Sequence, residues 1–228
     1  MTSPVYLTYK FGDQSEYCLC FGDRGSARTI LIIPPLFDEM NRTRRMLVEV
    51  MRALADRGTC ALLPDLPGCN ESLACISEQT VSVWRQAVED AAVQLKPTHI
   101  VSVRGGTLID DRADKPIMRL APVKGASVLK TMLRGRLVAD KEAGTSSTIE
   151  SLMAQAATGS LELSGYILSN AMLQSLEDSV PSPSCQCQEI TLPEINGSPL
   201  WLRAEPQEDA GMSAAFAERI DVWSATCA

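Results

Sequence analysis

The stretch "HIVSVRGGTLID", residues 99–110, joins an apolar run to a turn that is rich in glycine. A short continuous apolar run is typical of a strand that is buried on both faces of a parallel sheet. The turn contains Gly105 and Gly106, and Arg104 stands at its apex. The sequence therefore predicts a buried strand that ends in a sharp turn and carries an arginine there.

The flanking sequence alternates between strand and helix patterns. After a predicted β-hairpin, buried strands are predicted in residues 27–35, 59–68, 98–103 and 116–123. Helices are predicted between them in residues 37–58 and 82–95. Strands that alternate with helices form right-handed crossovers. The order therefore predicts an α/β fold with a doubly wound, mostly parallel sheet, which the hairpin in residues 4–23 precedes.

The pattern changes after residue 124. Three more helices are predicted, in residues 126–144, 148–159 and 169–180. "PSPSC", residues 181–185, is typical of a turn-rich linker. The C-terminal part predicts a late strand in "PLWLRAE", a helix and a short strand, in residues 199–205, 211–220 and 221–225. We therefore predict a single domain, residues 1–228, that carries a helical insertion or cap region at residues 125–180.

The charge and hydropathy limit the partners. The net charge is −7, and phosphate binding needs a basic face, so nucleic acid is not an expected partner. The best apolar run, "TILIIPPLF", breaks at two prolines, and the first residues lack a signal-peptide pattern. We predict no transmembrane segment and a cytoplasmic location. The eight cysteines are expected to be free thiols in such a chain.

Metal and cofactor patterns are missing from the sequence. The pairs Cys18/Cys20 and Cys185/Cys187 have a spacing that, on strands, only points both thiols to one face. No second histidine completes a zinc set, and no phosphate-binding glycine loop is found. We predict neither a metal site nor a cofactor.

The turn after residue 103 compares with the nucleophile elbow G-x-S-x-G, in which a sharp strand-to-helix turn exposes a serine. The five corresponding residues are Ser102-Val103-Arg104-Gly105-Gly106. Arginine stays protonated and has no lone pair for attack, but it can bind an anion or stabilise negative charge. The alternative is a strand end that a salt bridge holds. Only "TLIDDRADK" separates the turn from the next strand, so the helix that follows is expected to be short.

The single histidine, His99, begins the same predicted strand that Arg104 ends. At about 3.3 Å per residue, the two lie roughly 16 Å apart along the strand. Sites in open parallel sheets form at the carboxyl ends of the strands. No base is therefore expected for a Ser-His-Asp or Cys-His arrangement, and His99 is interpreted as a structural or surface residue.

Two motifs, "IIPPLFDEMNRTRRM" and "LLPDLPGCNES", carry a resemblance to a known family. The sequence resembles the exosortase A system-associated hydrolases of type 2, α/β-hydrolase-like proteins that accompany exosortase and exopolysaccharide gene clusters in Gram-negative bacteria. The apex of "SVRGG" is similar to the Gly-Leu-Arg-Leu-Gly turn of that family, and the similarity extends over residues 5 to 225. The sequence departs from the family at Ser102, in the short segment after Gly106, and in its end at Ala228.

The resemblance implies the α/β-hydrolase fold and places several residues. In "PPLFDEMN" it implies part of an oxyanion hole, where Pro35 has no N–H, so Leu36 or Phe37 would donate. Glu39 is the nearest acidic partner for Arg104. The same motif contains three further residues that could contact a ligand: Asn41, Arg44 and Arg45. A polar network that only braces the loops is the alternative, and Asp65 in "DLPGCNES" is expected to form a turn.

Three functions follow as hypotheses. The first is a binding or scaffolding protein of exopolysaccharide production that has no working triad and takes an anionic or acyl ligand. The second is an ester or thioester hydrolase in which a carboxylate activates water and Arg104 stabilises the oxyanion. Its candidate bases are Glu39, Asp65 and Glu205. The third is a protein-interaction module, with a homodimer as one form, which predicts an exposed apolar face on residues 126–142.

Overall fold

The computed structural model describes residues 3–183, 187–203 and 205–227. The strands are β1 Val5–Phe11, β2 Gln14–Phe21, β3 Thr29–Ile33, β4 Cys60–Pro64, β5 His99–Val103, β6 Ile117–Leu120, β7 Ser160–Leu163, β8 Tyr166–Ser169 and β9 Cys187–Ile190. The α-helices are α1 Asp38–Asp56, α2 Val81–Leu95, α3 Gly125–Glu142, α4 Ile149–Thr158, α5 Asn170–Glu177 and α6 Ala210–Thr226.

Seven strands form one sheet in the order β1-β2-β4-β3-β5-β6-β9. The hairpin β1–β2 joins β4 in antiparallel orientation, and every pair from β4 to β9 is parallel. From β3 the sheet grows to one side through β4 and to the other side through β5, β6 and β9, as in a doubly wound sheet. The predicted fold class, with its N-terminal hairpin and its parallel strands, is confirmed.

Helices cover both faces of the sheet because the central strands are apolar on both sides. All five residues of β3 are buried, and so are all five of β5. On one face, α1 and α6 pack through residues such as Leu47, Val50 and Phe216. On the other face lie α2 and the segment that connects β6 to β9, with Trp84 and Leu129 in the core. This two-sided burial positions the carboxyl ends of β3 and β5 side by side.

The segment between β6 and β9 contains the three predicted helices and also a β-hairpin. Strands β7 and β8 pair in antiparallel orientation around the turn Ser164–Gly165, both of which have positive φ. The sequence pattern missed this hairpin. In α3, the large apolar residues Val128, Leu129 and Met132 are buried, whereas Val138 is 58% exposed. The exposed apolar face that an interaction module would need on residues 126–142 is therefore not found.

The C-terminal strand predictions are wrong. Residues Leu200–Leu202 of "PLWLRAE" form a 3-10 turn, and Ala204 of that stretch lies outside the described residues. "DVWSA" belongs to α6, which continues because its apolar residues keep helical spacing: Met212, Phe216, Ile220 and Trp223 are buried. The last parallel strand is β9, which the sequence pattern missed. Ser184 and Cys185 of the predicted linker also lie outside the described residues.

Among the helices that the structure describes, none has the length and apolar character that a bilayer crossing requires. The seven cysteines in the described ranges are free thiols. Cys20 and Cys60 face each other across β2 and β4, with 3.7 Å between their Sγ atoms.

Candidate functional site

The turn after β5 is a sharp elbow. Arg104 has φ +52°, in the left-handed region, and it opens a 3-10 turn that ends at Leu108. A Cβ on Gly106 would lie 2.4 Å from the carbonyl oxygen of Pro34 and 2.8 Å from that of Ile33. Only glycine therefore allows the elbow to lie this close to the end of β3. The short turn agrees with the expectation that no long helix follows the elbow.

The side chain of Arg104 forms a bidentate ion pair with Glu39. Its Nε lies 3.1 Å from Oε2 and its Nη2 lies 2.9 Å from Oε1 of the carboxylate. The guanidinium also lies over the ring of Trp201, 4.5 Å from the ring centroid. The predicted partner of the apex arginine is thus present, and the charge at the elbow is held from two sides.

Burial shapes the electrostatics of this pair. Glu39 lies in the first turn of α1 and is 4% exposed. Burial raises the pKa of the Glu39 carboxyl, and the hydrogen bonds and charge of Arg104 act in the opposite direction. A bidentate guanidinium is the strongest partner that such a carboxylate can find. The pair therefore compensates two charges in a buried region, where either charge without its partner would destabilise the fold.

The two residues of the predicted oxyanion loop have buried side chains. Leu36 is 1% exposed and packs on Gly105 of the elbow. Phe37 is fully buried with φ +57°, and its ring contacts Trp84 and Tyr166, at centroid distances of 5.3 and 5.6 Å. Neither side chain can contact a ligand in this arrangement. The role of their backbone N–H groups stays a prediction.

The polar residues of the same motif point to different partners. Asn41 donates to the Tyr166 hydroxyl at 3.4 Å. Arg44 lies 3.6 Å from the Asp65 carboxylate, and Arg45 forms a surface ion pair with Glu208. The structure therefore joins Arg44 to the loop after β4 but directs Arg45 away from the elbow.

Asp65 lies at the carboxyl end of β4 and is 4% exposed. Its Oδ1 accepts a hydrogen bond from Asn70 at 2.7 Å. Burial raises the pKa of the Asp65 carboxyl, and Asn70 and Arg44 act against that rise. This pattern fits the turn-forming role expected for Asp65. Glu205, the third candidate base, is exposed.

His99 starts β5 at the end of the strand that is opposite to Arg104. Its Nδ1 lies 2.8 Å from Thr98 Oγ1, and its ring meets the edge of Trp223 at a centroid distance of 5.1 Å. Burial lowers the pKa of His99, and the charge of Arg28 lowers it further. The imidazole packs between the sheet and α6, which agrees with the structural interpretation of this residue.

A buried polar network behind the elbow was missed by the sequence analysis. Ser102 Oγ donates to Asp110 at 2.5 Å, and Asp110 forms a bidentate pair with Arg119 at 2.6 and 2.8 Å. Arg119 is 2% exposed although it lies in the apolar strand β6. A charged residue inside "PIMRLAPV" was the signal for such a network. Ser102, a departure from the resembled family, is one of its members.

A cavity of about 500 Å³ lies beside the start of α1. It is bounded by Asp38 and Arg42 on α1, by Arg136 on α3 and by the β7–β8 turn. Arg42 pairs with Asp38 at 2.8 Å and donates to the carbonyl oxygen of Trp201 at 2.8 Å. Trp201 thus links the cavity to the guanidinium of Arg104. Within the described ranges, no three His, Cys, Asp or Glu groups come close enough to hold a metal ion.

Comparison with known proteins identifies the fold. Neither a protein-family model nor a curated protein matches the sequence. Among solved structures, α/β hydrolase domain-containing protein 10 from mouse is similar, with a TM-score of 0.59 and 12% identity over 99% of this chain and 100% of that one. A putative hydrolase from Agrobacterium vitis S4 has a TM-score of 0.50 and 14% identity over 96% and 98% of the two chains. This chain has the α/β-hydrolase fold.

Proposed function

We propose that this α/β-hydrolase-fold chain binds an anionic or acyl ligand and does not hydrolyse it. The observation that carries the proposal is the bidentate pair between Arg104 and Glu39 at the elbow. At that position a hydrolase of this fold presents its nucleophile. A protonated guanidinium that is already bound to a carboxylate can recognise charge but cannot attack a carbonyl carbon.

The order of residues along the chain supports the same conclusion. In this fold the triad follows the order nucleophile, acid, histidine. No histidine follows Arg104 in the sequence, since the single one is His99. Trp201, which comes late in the chain, lies over the guanidinium instead. The sequence given therefore offers no histidine base at the position where the triad of this fold has one.

The remaining hydrogen-bond donors of Arg104 favour an anion. Its Nε and Nη2 bond to Glu39, and among the described residues none accepts from Nη1. A guanidinium has five N–H groups, so three of them stay available for a second acceptor. A cavity beside Asp38 is lined by Arg42, which donates to the carbonyl oxygen of Trp201, the residue whose ring the guanidinium covers. Its volume falls within the usual range for small-ligand sites.

An association with exosortase or exopolysaccharide systems is the second part of the proposal. It rests on the resemblance of residues 32–46 and 62–72 to the type 2 exosortase-associated proteins. Deletion of the gene in its host is expected to lower exopolysaccharide output. Complementation with the wild-type chain should restore that output, and an unchanged output after deletion would contradict the association.

The direct experiment combines turnover with binding. We expect no cleavage of p-nitrophenyl butyrate or of a short acyl thioester above the rate in buffer. p-Nitrobenzoate should bind in calorimetry, and Arg104→Gln should weaken that binding while circular dichroism shows a folded chain. Turnover that disappears in Arg104→Gln would overturn the binding-only function.

A hydrolase with an unconventional base is the alternative. Burial raises the pKa of both Glu39 and Asp65, and a general base works best with its pKa near the working pH. If this function holds, Glu39→Gln or Asp65→Asn removes ester turnover. Both oxygens of Glu39 accept from Arg104, which makes it the poorer base of the two.

A homodimer is a separate proposal that residues 126–142 do not support, because the large apolar residues of α3, with Val138 as the exception, are buried or partly buried. Light scattering of the purified chain at several concentrations measures the oligomeric state. A strict monomer with no captured partner would exclude the interaction-module function.

A further inference from the structure

A second cavity lies at the edge of the sheet opposite to the elbow. Its volume is about 630 Å³, and it is bounded by the end of α2, by Pro97 and Thr98, and by residues 112–115. These segments precede β5 and β6, so the cavity lies at the amino ends of both strands, whereas the elbow follows the carboxyl end of β5. The proposed function does not use this region.

Two lysines at the cavity have no carboxylate partner. Within the described ranges, no acidic group lies within 4.0 Å of the ammonium group of Lys96 or Lys115. Arg112, the third cation, donates to Gln86 at 2.8 Å and lies 3.8 Å from Glu89. The lining also contains Asp114. Three cations and two carboxylates leave a positive excess in a chain whose net charge is −7.

The backbones of both lysines that line the cavity lie in turns. Lys96, the first residue after α2, is in the left-handed region with φ +49°, whereas after α1 a glycine, Gly58, takes that conformation one position later. A lysine is less favourable than a glycine in that conformation. The partial negative charge of the C-terminus of α2 favours a cation at Lys96. The N–H of Lys115 donates to Ala113 O at 2.9 Å, so a tight turn holds it.

Part of the cavity lining is apolar. Ala92, Val93, Pro97 and Ala113 line the cavity. Val93 is 68% exposed, so its side chain is accessible to a ligand in this cavity. A cavity that is lined by apolar side chains and by two unpaired cations matches a molecule with an apolar chain and an anionic head.

We propose that this cavity binds a medium-chain carboxylate, with the carboxylate between Lys96 and Lys115 and the chain against Val93 and Pro97. Arg112 neutralises Glu89 and leaves Asp114 as the acidic group that opposes the ligand. The ligand class is set by the two cations together with the apolar wall. A small inorganic anion would lack the contact with the wall, and an uncharged alkyl chain would leave the lysines unused.

The test uses octanoate, below its micelle concentration, with the full chain. Calorimetry should show saturable binding of one octanoate, while octanol and acetate bind about tenfold more weakly or not at all. Lys96→Gln/Lys115→Gln should weaken octanoate binding about tenfold. The control Lys124→Gln/Lys130→Gln removes the same charge from exposed positions on and before α3 and should leave the affinity unchanged.

Amide chemical shifts in the wild-type chain locate the ligand without any substitution. Shifts confined to residues 92–98 and 112–115 support the proposal. Shifts confined to residues 36–42 and 104–108 place octanoate at the elbow, which overturns this proposal and agrees with the proposed function. Non-saturable binding, or equal affinity of the two double variants, also overturns it.

Discussion

Glu39 and Arg104 lie 65 positions apart in the sequence and form a bidentate ion pair that joins the first turn of α1 to the end of β5. The pair places two charges that satisfy each other at the turn after β5. It bridges two loops at the carboxyl edge of the sheet. Unfolding experiments on variants of these two residues measure the contribution of the pair to stability, apart from any contribution to ligand binding.

Removal of one partner of this pair should destabilise the chain. Arg104→Met leaves the Glu39 carboxylate buried without its cation, and we expect a loss of about 3 kcal/mol in the free energy of unfolding. The double change Glu39→Leu/Arg104→Met removes both charges and should cost less than the sum of the single changes. Urea unfolding measures all three variants. Additive losses would show that the pair contributes no coupling.

Any side chain at Gly106 should lower the free energy of unfolding, because the elbow has no room for a Cβ there. In Gly106→Ala the new Cβ meets two backbone carbonyl oxygens, at 2.4 and 2.8 Å, and we expect a loss of about 2–3 kcal/mol. Gly135→Ala is the matched control, because its Cβ meets no atom within 4 Å and it lies on the exposed side of α3. The control should gain about 0.5–1 kcal/mol. A Gly106→Ala variant as stable as the wild type would contradict the elbow geometry.

The single histidine should titrate at low pH. Burial lowers the pKa of His99 below its ordinary value of about 6.5, so the unfolded chain takes up the proton first. Stability should therefore fall as the pH drops below about 6.5, and His99→Gln should flatten this dependence. An untagged chain gives one imidazole resonance in NMR, and its midpoint measures the pKa directly. A midpoint above 6.5 would show that a charge partner outweighs the burial.

Thiol reactivity should divide the cysteines by burial. Cys75 and Cys227 are exposed and should be alkylated rapidly in the native chain. Burial raises the pKa of Cys18 and of Cys69 to about 12, so both should react only after unfolding. Peptide mapping after iodoacetamide treatment assigns each site. Rapid native labelling of Cys18 would indicate that β2 opens readily.

Several elements were predictable because a local pattern reports burial. In α1, Met46, Leu47, Val50, Met51 and Leu54 recur at helical spacing, and all five are buried in the structure. The strands β3, β4 and β5 are short apolar runs, which fits strands that are covered on both faces. In these segments the sequence period and the tertiary environment agree.

Elsewhere, packing overrode the local pattern. Val222 and Trp223 favour a strand by propensity, yet they belong to α6 because Phe216, Ile220 and Trp223 pack on the sheet at helical spacing. Strand β9 is four residues long and exists because it pairs with β6. So short a segment has little periodicity of its own, which is why the sequence did not indicate it.

The sequence by itself determined the alternation of strands and helices, the arginine at the elbow and the isolation of the single histidine at the other end of that strand. Only the tertiary structure decided that Glu39 and Trp201 hold Arg104, and that Asp110 and Arg119 form a buried pair behind the elbow. The spacing of apolar residues along the chain indicates which side chains are buried. The partner of a charged side chain depends on which loops the packed helices and the sheet bring together. A local sequence pattern does not contain that information.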